Sequence, residues 1–394
     1  MPSVQNEELA RTAADHVRRA VARGGFPCAA IVDDTVEYLD GQGEPDDLRA
    51  LAWQLVGPAF AAHLDAQRGW PARTDSDRLT DAFRALDAAG IVAREDFTCC
   101  QNCGVTDIGD QAHDTMPARG YVFYHQQDAE RCAEGGGLYL AYGLLGQPAT
   151  AEIGEEIVAA LRAEGLQVDW SGSPGQRIHV RVDWARRRHG RMAAYAPYDP
   201  AEPELAVHAA KGRRLAPRMT ATALSMLELP WLPQGVAVRV EGDGAPVELR
   251  RERSRLFSDD GRSVGRFDGL RLLNGGDDPQ APDEPGMLEV TYESQPDGPS
   301  AFPSVPMALP EALDVLRRLP TRTNSWLCAV SAAEAVVQLR WEKDGLWLET
   351  PHPEDATSTG KYATYDEAVR VLTILATEDR SALAELDGAA RRPW

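Results

Sequence analysis

The spacing of apolar residues changes period partway along this chain, and that change limits what it can fold into. Leu9, Ala13, Val17 and Val21 recur at every fourth position, which places them on one face of a helix. FPCAAIVDDTVEYL and DLRALAWQLVGPAFAAHL continue the pattern, and TDSDRLTDAFRALDAAGIVARED closes it. In the last of these, Asp75 to Asp77 offer N-caps, Leu79, Phe83 and Leu86 form a stripe, and Gly90 supplies a stop before a short strand, IVARED. Helix, glycine, strand also ends a winged-helix unit, but an acidic surface makes this a packing solution rather than a DNA reader. From about residue 118 the period is two. Tyr121, Phe123 and His125 alternate with Val122 and Tyr124, and LYLAYG alternates again after Gly135, Gly136 and Gly137. Ile153, Ile157, Val158 and Leu161 mark a helix, and LQVDW with RIHVRVDW forms a hairpin turned by SGSPG. The fold class expected is therefore α+β: an N-terminal helical segment, an antiparallel sheet with a helix across it, and a second, smaller α+β domain.

At 394 residues the chain exceeds what one core supports. Residues 1–95 read as the helical segment and 96–188 as the sheet unit, the two making one N-terminal domain. Residues 189–235, rich in Pro, Ala and Arg, read as a linker, and 236–394 as a C-terminal α+β domain. Residues 277–297 hold seven acids, no base and four prolines, the composition of an acidic loop. Beyond it, Ala312, Leu313, Leu316 and Leu319 suggest a helix, SWLCAV, AVVQLRW and LWLET suggest strands, and Thr364 with Glu367 opens a final capped helix.

Charge and hydropathy exclude several functions. A net charge of −20 repels a phosphate backbone, so nucleic-acid binding is not expected. The exception is residues 186–218, where eight basic residues face three acids; a solvated connector is the plainer reading, an acidic partner or RNA the other. No apolar run approaches the roughly 20 residues of a membrane span, and the first residues lack a secretory leader's pattern. A cytoplasmic location follows, with a protein or small molecule as the partner.

The chemistry concentrates at FTCCQNCG, where Cys99, Cys100 and Cys103 fall within five positions. In a reducing compartment such thiols bind metal or do redox work rather than crosslink. Cys100-x-x-Cys103-Gly104 has the form of a zinc knuckle, whose spacing lets both sulfurs reach one ion. Cys99, His113, His125 and Cys132 are the nearby candidates to complete it, and His113 and His125 are the expected ligands beside Cys100 and Cys103. Zinc is the cofactor implied. A hydrolase alternative makes Cys99 or Cys100 a nucleophile, His125 its base and Asp128 the group that orients the base. A dithiol exchange site fits less well, because VTDIGDQAHD is a poor helix and a helix should follow such a motif. Cys28 and Cys328 lie in apolar stretches and read as core.

The blocks REDFTCCQNCG, GYVFYHQQDAE, GGGLYLAYG and VDWSGSPGQRIHVRVDW together resemble an uncharacterised bacterial domain family, over about residues 1–188. The resemblance implies that the cysteine cluster and His125 belong to one unit and implies no activity. The function expected is that of a metal-stabilised binding or regulatory protein, with the hydrolase around Cys99, Cys100, His125 and Asp128 as the alternative.

Overall fold

The computed structural model describes residues 4–112, 118–209, 215–242, 244–294 and 300–393. Among them are eleven helices and three sheets, so the α+β class holds. Four helices come first: α1 (Val4–Arg23), α2 (Cys28–Tyr38), α3 (Pro45–Arg68) and α4 (Asp75–Ala88). The N-cap of α4 is Thr74 rather than the aspartates after it; its hydroxyl accepts from the Asp77 amide while the Asp77 carboxylate accepts from the Thr74 amide. Gly90, at φ 82°, ends the helix in the left-handed region that glycine enters without cost.

The next stretch holds β1 (Ile91–Arg94), α5 (Gln101–Asp107), β2 (Gly120–Phe123), α6 (Gln126–Ala133), β3 (Leu138–Leu144), α7 (Ala151–Ala163), β4 (Gln167–Asp169) and β5 (Ile178–Arg181). Its strands make one sheet in the order β1-β2-β3-β5-β4. The expected hairpin is β4–β5, with Val168 opposite Val180. The pair β1–β2 is parallel, Ile91 facing Gly120 and Arg94 facing Phe123, whereas the other pairs are antiparallel. Leu79 and Phe83 of α4 and Ile157 and Leu161 of α7 share a core with Val122, Tyr124, Leu138 and Val180.

The stretch expected to be a linker is structured. It supplies β6 (Glu204–Ala209), β7 (Arg218–Thr220) and α8 (Ala221–Leu227), and β8 (Ala237–Glu241), β9 (Val247–Glu252), β10 (Arg255–Ser258), β11 (Ser263–Gly265) and α9 (Gly269–Leu273) follow. The six strands form an antiparallel sheet in the order β11-β10-β9-β8-β6-β7. This sheet covers the N-terminal helices: Val17, Ile31, Val56 and Phe60 lie in one core with Leu224, Val238, Leu249 and Leu256. Several arginines at the start of the stretch are used internally. Arg188 is buried and donates to the carbonyls of Val21 (2.9 Å), Phe26 (2.8 Å) and Met192 (2.6 Å). Arg187 pairs with Asp77 and Arg191 with Glu228. The KGRR run lies outside the described residues.

The last unit comprises β12 (Leu288–Glu293), β13 (Ser300–Met307), α10 (Leu309–Arg318), β14 (Trp326–Val330), β15 (Val336–Glu342), β16 (Gly345–His352), β17 (Thr357–Ala363), α11 (Tyr365–Glu378) and β18 (Ala390–Pro393). The seven strands form one antiparallel sheet, and Leu327, Leu339 and Leu348 on one of its faces pack against Leu316 of α10 and Leu372 of α11. Thr364 caps α11 with the expected reciprocal box. The acidic loop is shorter than expected, since β12 occupies part of it: alternate residues Leu288 and Val290 are fully buried, and burial of that face outweighs the acids at Glu289 and Glu293. No helix among the described residues is long and apolar enough to cross a membrane.

Candidate metal centre

Because β1 and β2 are parallel, both end at the same edge of their sheet, and the segments leaving them run side by side. The Phe97 amide donates to the Tyr124 carbonyl at 2.9 Å, and the Gln126 amide donates to the Thr98 carbonyl at 3.1 Å. Between these bonds the chain turns sharply, with Asp96 at φ 50° and Thr98 at φ 58°. A β-branched residue in the left-handed region is a genuine outlier, costing of order 1–3 kcal/mol, and it persists only where neighbours impose it. The Thr98 hydroxyl completes the turn by donating to the Cys100 carbonyl at 3.1 Å. The strain sits immediately before the cysteines and fixes how they leave the sheet.

Helix α5 starts directly after Cys100, which stands at its N-cap. The sequence argued against a helix here, and the structure corrects that reading. The helix is short and held from outside: Gly104 is buried, a Cβ built on it would collide with the ring of Phe123, and Ile108 joins Val92 and Phe123 in a small core. Such a segment needs no long apolar stripe, so periodicity alone does not reveal it.

The turn and the helix bring three sulfurs together. Cys99 Sγ lies 3.5 Å from Cys103 Sγ, Cys100 Sγ lies 3.6 Å from it, and all three are within 4.8 Å of one another. Sulfurs each about 2.3 Å from one tetrahedral ion stand roughly 3.8 Å apart, so the spacing suits a shared ion with one position left over. Cys99 and Cys103 are exposed and Cys100 is partly so. The Cys100 thiol is lowered from its ordinary value, first by the backbone amide of Cys103 and then by the Cys103 thiol. Cys103 is pushed up to about 11, first by the Cys99 thiol and then by Cys100.

The other expected residues are placed differently. His113 lies outside the described residues. His125 is not the next residue of a strand but the N-cap of α6, buried, and both its ring nitrogens are engaged. Its Nδ1 accepts from the Asp128 amide at 3.3 Å, and its Nε2 lies 2.9 Å from Asp128 Oδ2. Nδ1 already accepts a bond and Nε2 faces a carboxylate, so as placed neither nitrogen is free to hold a metal or to take a thiol proton. Asp128 is fully buried and also meets Arg177 and Arg131. Burial would raise its carboxyl, but His125 and Arg177 outweigh that and hold it below the usual range. Cys132 is core: burial pushes it up to about 12, and its thiol points at the Val182 carbonyl. Cys28 is likewise buried and pushed up to about 12.

Residues 6–188 match the model of a family described as Domain of unknown function (DUF6891), which agrees with the resemblance drawn over residues 1–188. Comparison with curated proteins and with solved structures gave no match.

Proposed function

We propose that the chain is a metal-binding regulatory protein in which Cys99, Cys100 and Cys103 hold one thiophilic ion, zinc being the cofactor that the donor set suits best. The observation that carries this reading is the sulfur spacing, 3.5 and 3.6 Å about Cys103, which matches neither a disulfide nor independent thiols. The fourth ligand is His113 or a donor from outside the chain, since His125 is committed to Asp128. A thiolate set with an accessible fourth position suits exchange or sensing of an ion in a reducing, cytoplasmic setting better than a closed structural site. The hydrolase reading is weaker, because it requires a free nitrogen on His125. A dithiol exchange site gains one observation in its favour, the helix beginning at Cys100, and loses one, the third thiol crowding Cys103.

The test is metal analysis of the protein purified under reducing conditions, followed by cobalt(II) substitution. The reading expects one equivalent of metal and a thiolate-to-cobalt charge-transfer band that disappears in Cys103→Ser. Stripping the metal is expected to lower stability by less than the roughly 10 kcal/mol seen in small zinc domains, because this sheet has its own core. Metal-free protein that takes up no cobalt, and forms a disulfide on mild oxidation, would replace the metal reading by the dithiol one.

A further inference from the structure

A cavity of about 410 Å³ lies beside the cysteine turn, between α4, the Arg94–Phe97 segment and the C-terminal end of α10. Its wall is built by residues from both the family-matched region and the last unit, and ligand sites favour such junctions. Six guanidiniums line it: Arg23, Arg84, Arg94, Arg186, Arg317 and Arg318. The carboxylates in the same wall are Asp87, Glu95 and Asp96, so it carries a surplus of three positive charges in a chain whose net charge is −20.

Each of the three wall carboxylates is already taken. Glu95 pairs with Arg186 at 2.6 Å, Asp96 with Arg23 at 3.1 Å, and Asp87 with Arg94 at 2.8 Å. The second oxygen of Asp87 accepts from the amide and hydroxyl of Thr321, at 2.7 and 2.8 Å. The remaining arginines turn to acids behind the wall: Arg317 to Asp77, Arg84 to Asp81, Arg318 to Asp314. Donors still exceed acceptors. Nη1 of Arg84 and Nη2 of Arg94 are buried with no acceptor among the described residues, whereas Nε of Arg317 faces Asp81 at 3.6 Å. Buried donors are nearly always satisfied, so two in one wall point to an acceptor that the protein does not itself supply.

We propose that this cavity binds a small phosphorylated molecule. A phosphate group brings two negative charges and several acceptor oxygens, and guanidinium forks match its geometry. The rings of Phe83 and Phe97, also in the wall, offer an apolar surface for the organic part. Arg23 and Arg186 are buried and fixed by their own carboxylates, which gives the wall a rigid frame, while Arg318 is a third exposed and can reorient toward an incoming anion. This site does not depend on metal at the cysteines.

Calorimetric titration of the full chain with inorganic phosphate, pyrophosphate and succinate, at low and moderate salt, tests the proposal. Saturable binding of pyrophosphate is expected, tighter than that of succinate, weakening with salt and at least tenfold weaker in Arg318→Gln. Arg84→Gln should act in the same direction, and Arg380→Gln, remote on the surface, should leave the affinity unchanged. Two results would overturn it: no saturable phosphate or pyrophosphate binding by folded protein, or binding that survives both wall substitutions. Binding of succinate in preference to pyrophosphate would overturn it as well.

Discussion

Asp128 shows how much one side chain can hold beyond the single partner its sequence suggests. Read from the sequence as the group that orients His125, it is buried and meets Arg177 and Arg131 as well. Removing one partner of such a network leaves charge without compensation. Asp128→Asn is expected to cost about 3–5 kcal/mol at neutral pH, measured by urea unfolding. Because its folded pKa lies below the unfolded value of about 3.9, the stabilisation is present above that pH and is lost as pH falls through the folded pKa. The gap between wild type and variant should therefore narrow in acid. A gap of the same size at pH 7 and pH 3 would show that the carboxylate charge is not what stabilises.

At the scale of elements, α5 is held by contact rather than by propensity, and Gly104 is where that contact is closest. Gly104→Ala gains up to about 1 kcal/mol of helix propensity but drives a methyl into Phe123, an overpacking that costs about 1–3 kcal/mol. The second effect should win, because Phe123 is fully buried and has nowhere to retreat. The variant is expected to unfold at lower temperature and to bind metal more weakly, as α5 tilts and Cys103 leaves Cys99; unaltered metal affinity would separate α5 packing from the centre. The same distinction explains what the sequence made legible. Long helices with a stripe, such as α1 and α4, and strands buried on one face, such as β14 to β16, declare themselves through periodicity. Thr364 and Glu367 declare the start of α11 chemically. Short elements fixed by partners distant in sequence do not, which is why α5, β6 and β7 were not legible. For the site, residue types and CxxC spacing identified the thiols, whereas the commitment of His125 depended on where β2 ends, one residue before Tyr124. The arginine cavity left no trace in the sequence, since its six arginines are scattered from residue 23 to residue 318.

Across the whole molecule, the family-matched region and the physical cores do not share a boundary. Residues 6–188 match the family, but Val17, Ile31, Val56 and Phe60 bury their side chains against residues 224–264. A chain ending at residue 188 keeps the α4–α7 core intact and leaves one face of the α1–α3 group uncovered. Exposed apolar surface of that size promotes association. The shortened chain is expected to retain helical circular dichroism, to bind a hydrophobic dye more strongly than the full chain, and to aggregate at lower temperature. Dye binding no greater than that of the full chain would mean that α1–α3 close on themselves when alone.

The shared core also sets a schedule for synthesis. A ribosome delivers α1–α3 early, yet the elements that cover them appear only as Val207 through Leu272 are made. At about 5–20 residues per second, the interval between Phe60 and Leu272 is on the order of 10–40 s. Through that interval the nascent helices carry a bare apolar face while the α4–α7 unit folds beside them. Slowing translation downstream of residue 188 should therefore reduce its soluble yield more than slowing it earlier.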